Sequence, residues 1–236
     1  FKQIGKTSET QQASEGFLPP SENEIPQNQF GQSVKRGQAI FENTTKQASE
    51  YAGNSLNCKN CHLNSGRLAD SAPMWAAWGQ YPAFRKKNGR VNTIEERLRG
   101  CFIYSLNAQA SKSKRPPPKG DQIYTDLQSY MFWLAQGAPT GKELKGRAYP
   151  KLKNPAQGYS ADRGEVVYKQ RCAICHGKDG QGLEVNGEMH YPALWGDNSY
   201  NWGAGMHRIN TSAGFIYANM PLGQPKTLTE QEAWDV

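Results

Sequence analysis

No stretch of this 236-residue chain approaches the ~18 consecutive apolar residues of a membrane-spanning helix, so no membrane span is expected. Cysteine is scarce at five, and an odd number leaves one thiol over from any scheme of pairs. Histidine stops at four and methionine at five, so an iron or zinc centre has few side chains to choose from. Aromatics do not interleave with the basic residues, which gather around Cys101 and between Lys112 and Lys119, and no nucleic-acid-binding motif accompanies them. The formal charge of +7 therefore points to small anions or an acidic redox partner and away from nucleic acid. An initiator methionine is missing as well. The chain begins at Phe1 and is expected to be a mature, exported, periplasmic product whose signal peptide has been removed.

Against that sparse background, four of the five cysteines fall in two Cys-x-x-Cys-His boxes, Cys58-Lys59-Asn60-Cys61-His62 and Cys172-Ala173-Ile174-Cys175-His176. Two thiols that add across the vinyl groups of a haem, and a histidine that ligates its iron, need this spacing because all three must fit within one turn. A Cys-x-x-Cys pair alone would also suit a redox disulfide, and two pairs would suit zinc. The appended histidines, twice over, argue against both readings, and zinc would also want the four cysteines clustered, whereas each pair lies in its own segment. Two covalently bound haem c groups are expected, in a protein that handles electrons. They would also complete cores that a modest 36% hydrophobic content fills only in part.

The fifth cysteine, Cys101, follows a basic run: between Arg85 and Arg99 stand six cationic and two acidic side chains. A buried structural thiol or an intermolecular disulfide is the plainer reading of a leftover cysteine. Cations, however, favour the thiolate, and with it both nucleophilicity and iron binding.

An internal repeat organises the chain. Arg36-Gly37-Gln38-Ala39-Ile40-Phe41 precedes the first box and Arg163-Gly164-Glu165-Val166-Val167-Tyr168 the second, each opening a short amphipathic helix whose aromatic residue faces the haem. Leu127, Tyr130, Met131 and Leu134 are spaced for a closing helix over 126–136, and an equivalent helix starts at Leu228 and is truncated by the end of the chain. Pro150, Pro155 and Gly158 mark a linker, and Pro116-Pro117-Pro118 a stiff loop. The expected fold is mainly α, with two cytochrome c-like haem domains in tandem. An extended N-terminal arm, rich in Gln, Ser, Glu and Pro, covers 1–28; the first domain covers 29–145, the linker 146–160 and the second domain 161–236.

Each haem iron needs a ligand opposite its histidine. In the second domain Met220 has the Met-Pro setting and the distance from His176 expected of a distal loop, and methionine raises the haem potential; Met189, His190, Met206 and His207 are rivals. In the first domain no Met-Pro follows His62 comparably. Met74 and Met131 are open, but Met131 lies on the apolar face of the closing helix, and Cys101 is the stronger candidate. A thiolate stabilises ferric iron, so electrons should run from haem 1, ligated by His62 and Cys101, to haem 2, ligated by His176 and Met220.

The segment from Asn92 to Asn107, with Gly146-Arg147-Ala148-Tyr149-Pro150-Lys151-Leu152, Asn201-Trp202-Gly203-Ala204-Gly205-Met206-His207-Arg208-Ile209 and the Asn219-Met220-Pro221 loop, resembles the dihaem c-type thiosulfate dehydrogenases over nearly the whole chain after the arm. The resemblance implies oxidative coupling of two thiosulfates to tetrathionate, run well in reverse by some members, with a soluble or membrane-attached cytochrome as electron acceptor or donor. By position it puts the family's cysteine ligand on Cys101, its substrate arginine on Arg97 and its serine on Ser105. A second family arginine falls in the upstream run, where Lys87 matches best among Arg85, Lys86 and Lys87. Arg99 stands where a neutral residue is expected, and Leu106 where a methionine is. Some members place a lysine beside the haem 2 methionine as an alternative ligand. Asn219 occupies that place here, so no Lys/Met switch is expected.

Electrostatics agrees with this reading. Bringing two dianions within about 5 Å costs roughly 3 kcal/mol at the permittivity of water and about 13 kcal/mol at an effective value of about 20, so a coupling site needs fixed cations. Arg97, Arg99 and the upstream run would supply them, Ser105 a neutral hydrogen bond, and Cys101 a route through a Cys-S-SO3 type adduct. Other classes account for less. A plain dihaem electron carrier leaves Cys101 and its cations without a task. A sulfur-carrier-conjugating cytochrome needs a protein substrate and usually a partner subunit, and a haem sensor needs a signalling segment.

Overall fold

The first helix begins where Asn28 accepts a hydrogen bond from the Gly31 N–H at 2.9 Å, satisfying one of the donors that a helix start leaves open. In the computed structural model, which describes residues 16–236, this α1 spans Gln29–Glu42. The Arg36–Phe41 stretch is thus its second half and not its opening. Short helices α2 (Thr44–Gln47), α3 (Leu63–Gly66) and α4 (Met74–Trp78) follow, with the first haem box between α2 and α3. Strands β1 (Ala83–Arg85) and β2 (Arg90–Asn92) pair antiparallel, Ala83 opposite Asn92 and Arg85 opposite Arg90. A mainly α expectation did not include this hairpin, although Asn88-Gly89 at its tip is a dipeptide that tight hairpin turns favour. Helix α5 (Ile94–Gly100) starts with a reciprocal Thr93/Glu96 cap and runs into a π-helical turn, Cys101–Ser105. Helix α6 (Gln122–Leu134) closes this half. It starts earlier than the expected 126 because Asp121 takes the Ile123 N–H at 2.9 Å.

The second half carries α7 (Ala161–Arg171), α8 (Ala173–His176) within the second box, strands β3 (Leu183–Val185) and β4 (Glu188–Tyr191), then α9 (Ile209–Asn219) and α10 (Glu230–Asp235). The Arg-Gly repeat reappears in the packing. A Cβ on Gly37 would meet the Asp126 carbonyl oxygen of α6 at 2.0 Å, and one on Gly164 would meet the Asp235 carbonyl oxygen of α10 at 2.0 Å. The arginine before each glycine grips the same aspartate twice: Arg36 holds Asp126 at 2.9 and 2.8 Å, and Arg163 holds Asp235 at 2.7 and 2.9 Å. Glycine permits the close crossing of the helices and arginine locks it.

The main core fills the space between α1, α4 and α6, with Trp75, Tyr124, Tyr130 and Trp133 buried. Met74 and Met131 lie in the same core and serve its packing. Residues 1–15 of the expected arm lie outside the described residues; beyond them, Phe17 rests on Trp75 with ring centroids 5.4 Å apart, and Ile25 is buried. The expected linker is equally engaged. Asp70 N–H donates to Gly146 O at 2.8 Å, Trp234 Nε1 donates to Lys153 O at 2.7 Å, and Tyr149 stands edge-on to Phe215 of α9 at 5.2 Å. A Pro- and Gly-bearing spacer is in fact a seam between the halves. Among the described residues no helix is long and apolar enough to cross a membrane.

Candidate functional site

Both haem boxes fold into a tight turn. The His62 N–H donates to the Cys58 carbonyl at 3.0 Å and the His176 N–H to the Cys172 carbonyl at 3.0 Å, which gathers two sulfurs and an imidazole in each turn. A backbone carbonyl then orients each ring: His62 Nδ1 lies 2.8 Å from Ala72 O, and His176 Nδ1 lies 2.9 Å from Pro192 O. A carbonyl can only accept, so Nδ1 carries the proton and Nε2 keeps its lone pair for a metal. Burial pushes the His62 imidazole down to about 4, overriding the opposing effect of the Ala72 bond, so the ring is neutral at ordinary pH. All four box cysteines are unpaired. Two free thiols beside an imidazole whose Nε2 is left open fit haem c in both halves. Among the described residues Arg99 Nε is buried without a hydrogen-bond partner.

Helix α5 carries Arg97, and the π-turn after it carries Cys101 and half-buried Ser105. Side chains four apart share a helix face, and Arg97 Nη1 donates to Cys101 Sγ at 3.3 Å. Negative charge on Cys101 raises the pKa of the Arg97 guanidinium further, against the cost of burial, with Tyr81 and Tyr149 also close to it. Cys101 lies within electrostatic reach of the first haem box. Burial pushes the Cys58 and Cys61 thiols up to about 12, and charge on Cys101 adds to the shift at both.

Lys87 reaches the same place from the hairpin turn. Its Nζ donates to the Gly203 carbonyl and lies 3.8 Å from the centre of the Tyr104 ring. Desolvation, then the charge of Arg208, then that of Arg97 lower its pKa, so Lys87 stands within electrostatic reach of the arginine that contacts Cys101. Arg85 instead lies over the Tyr81 ring at 6.0 Å. Arg99, two residues on from Arg97, has turned about 200° round the helix, and its charge acts on Tyr124 of α6.

In the second half Met220 is the residue that ends α9. Asn219 before it is buried, and its amide donates to Phe215 O at 3.0 Å and to Asp70 O at 3.1 Å, so it is committed to the backbone. Of the rivals, His207 is exposed and stands against the Trp202 ring at 4.4 Å, His190 is exposed on β4, and Met189 and Met206 are half-buried.

Comparison with known proteins places this geometry. The chain is 48% identical over 232 residues to a thiosulfate dehydrogenase from Stutzerimonas stutzeri, covering 96% of this chain and 74% of that protein. It is 49% identical over 220 residues to a thiosulfate dehydrogenase from Thiomonas intermedia, covering 93% and 68%. The chain belongs to the thiosulfate dehydrogenase family. The family model described as cytochrome C oxidase, cbb3-type, subunit III matches residues 160–236, so the cytochrome c-type fold is shown directly for the second half. The as-isolated structure of thiosulfate dehydrogenase TsdBA from Marichromatium purpuratum superposes with a TM-score of 0.90 at 50% identity. That match covers 93% of this chain, which spans 47% of the length of the other.

In this thiosulfate dehydrogenase homologue, residues to which sequence reasoning assigned no role hold the site together. Tyr149 Oη, from the seam, donates to the Cys61 carbonyl at 2.8 Å. Asn54 Nδ2 donates to Ser105 O at 2.8 Å and to Ser199 O at 2.8 Å, joining the halves. Asn201 contacts the π-turn through both backbone and side chain. Of these, Tyr149 and Asn201 lay within the segments that carried the family resemblance, whereas nothing in the sequence pointed to Asn54.

Proposed function

We propose that this chain is a dihaem cytochrome c oxidoreductase that couples two thiosulfates to tetrathionate, the direction being set by the potential of its electron partner. The observation that carries this reading is the Arg97–Cys101 contact at 3.3 Å, within electrostatic reach of Lys87 and of the first haem box. The relatives' shared name supports it. In this reading residues 29–145 hold haem 1 through Cys58, Cys61, His62 and Cys101, and residues 161–236 hold haem 2 through Cys172, Cys175, His176 and Met220. Residues 146–160 join them. When bound, the two haem c groups supply a pair of one-electron acceptors with the higher potential at the methionine-ligated site.

The chain's own residues bind and join the anions. Arg97 and Lys87 offset the charge of two dianions, and Ser105 donates a neutral hydrogen bond. Joining the Cys101 thiolate to the terminal sulfur of thiosulfate gives Cys-S-S-SO3⁻ and releases two electrons. Atom balance requires this adduct to keep both thiosulfate sulfurs, one more than a Cys-S-SO3 adduct holds. The second thiosulfate attacks the outer sulfur of that disulfide-type bond, forms the central S–S bond of tetrathionate and expels Cys101 as a thiolate. Arg97, already 3.3 Å from the sulfur, stabilises that leaving charge.

An exported, periplasmic setting suits covalent haem and an unpaired thiol, and a soluble or membrane-attached cytochrome would take or supply the electrons. Steady-state turnover of thiosulfate with ferricyanide, and of tetrathionate with a low-potential donor, tests the reading. A fully haem-loaded protein that turns over neither would be a plain electron carrier.

A further inference from the structure

A π-helical end leaves its last carbonyls without intrahelical donors, and here they belong to the turn that carries Cys101. Each has been given a partner from elsewhere. The Leu106 carbonyl accepts from Gly53 N at 2.8 Å and the Ser105 carbonyl from Asn54 Nδ2 at 2.8 Å, both from the first half. The other two depend on one residue of the second half: the Tyr104 carbonyl accepts from Asn201 N at 3.0 Å, and the Ile103 carbonyl from Asn201 Nδ2 at 2.9 Å. The orientation of that amide is fixed, because its Oδ1 accepts from Gly203 N at 2.9 Å.

Gly203 makes a second, independent contact. A Cβ there would lie 2.1 Å from Cδ1 of the Tyr104 ring, and its φ is not in the left-handed region, so close approach and not backbone strain demands glycine. Its carbonyl also receives the Lys87 ammonium, which lies over the same Tyr104 ring. Residues 201–203 therefore touch both the thiol-bearing turn and the cation placed beside Arg97.

We infer that Asn201 and Gly203 are positioning residues of the coupling site, supplied by the half that carries the other haem box, so that the first site is incomplete without the second half. Asn201 sets the pitch of the turn that aims Cys101, and Gly203 sets the distance at which Lys87 stands. This rests on the thiosulfate-coupling reading for its activity arm, but its spectroscopic arm does not.

The test uses the full haem-loaded chain. Asn201→Ala and Gly203→Ala are compared with Gly205→Ala, a substitution in the same segment whose Cβ meets open space. Ferric low-spin resonance spectra of the thiolate-ligated haem, the potentials of both haems, and separate kcat and KM for thiosulfate are measured. Asn201→Ala should shift and broaden the thiolate signal, leave the second haem's potential in place and lower kcat about tenfold, as expected when a buried carbonyl loses its donor. Gly203→Ala should raise KM more than it lowers kcat, and Gly205→Ala should match the wild type. If Asn201→Ala does not load haem, Asn201→Asp decides, since it keeps the bond from Gly203 N and loses the Nδ2 donations to Ile103 O, Asn107 Oδ1 and Gln109 Oε1. Unchanged thiolate spectra in both the Asn201 and Gly203 variants would overturn the inference. A wild-type protein that fails to turn over thiosulfate would overturn the functional reading alone, leaving the spectra to judge the positioning.

Discussion

Residues 29–145 and 161–236 cross their first and last helices alike, at Gly37 on Asp126 and Gly164 on Asp235, yet only the first half builds a thick core around the crossing. There Trp75, Tyr124, Tyr130 and Trp133 are at most 1% exposed, whereas the second half leaves Trp195 and Trp202 at 50% and 83%. The extra mass supports α5 and the π-turn, on which Arg97 and Cys101 stand 3.3 Å apart. Bond-forming chemistry needs groups held to a fraction of an ångström, and a dense core supplies that rigidity. In the proposed reading the second half only passes electrons, which needs no more than a held cofactor and an accessible edge, so the thinner half would suffice for it.

The comparison would break most visibly at Cys101. Cys101→Ala should abolish tetrathionate formation and remove the thiolate signal from the ferric resonance spectrum while both haems stay attached; near-normal turnover would return the plain-carrier reading and make the halves equivalent. Next in size is Arg97→Ala, expected to lower kcat/KM for thiosulfate about a hundredfold by removing a charge-assisted contact, against no more than about twofold for Arg115→Ala, an exposed side chain that precedes the buried Pro116 and Pro117. Met220→Gly sharpens the contrast from the other side. A redox titration should show the second haem's potential fall and electron exit slow, with the first haem's spectrum intact, and an unmoved potential would point to Met206 or His207 as ligand.

The smallest effect concerns the shared crossing itself. At Asp126 burial pushes the carboxyl up, but bonds from Arg36, Ser33 and Gln122 outweigh it and leave the group below the usual carboxylate range. Asp235 is held down chiefly by Arg163, against the cost of burial. A lowered folded-state pKa contributes stability that is present above the unfolded carboxylate value of about 3.9 and is lost as pH falls through the folded value. Thermal melts between neutral pH and about pH 3 should therefore show the Asp126→Asn penalty shrinking with acid. Asp235→Asn should behave likewise with a smaller penalty, because fewer side chains share that carboxylate. A constant penalty across the range would mean that the two crossings are held by packing alone.

What the sequence by itself determined is everything that local spacing encodes. Cys-x-x-Cys-His must gather two thiols and an imidazole in a turn, the Arg-Gly pair repeats in both halves, and Arg97 and Cys101, four apart, must share a face. Helix ends were less legible: caps at Asp121 and Asn28 moved α6 and α1 away from the hydrophobic pattern's edges. Only the tertiary structure decided that the proline-bearing spacer packs against the second half, that Lys87 reaches Gly203 while Arg85 lies over Tyr81, and that Asn54 and Asn201 donate to the turn that carries Cys101. The reason is physical. Periodicity is a property of neighbours along the chain, whereas the donors that satisfy a helix end arrive from segments far apart in sequence, and their proximity exists only once the two halves have packed.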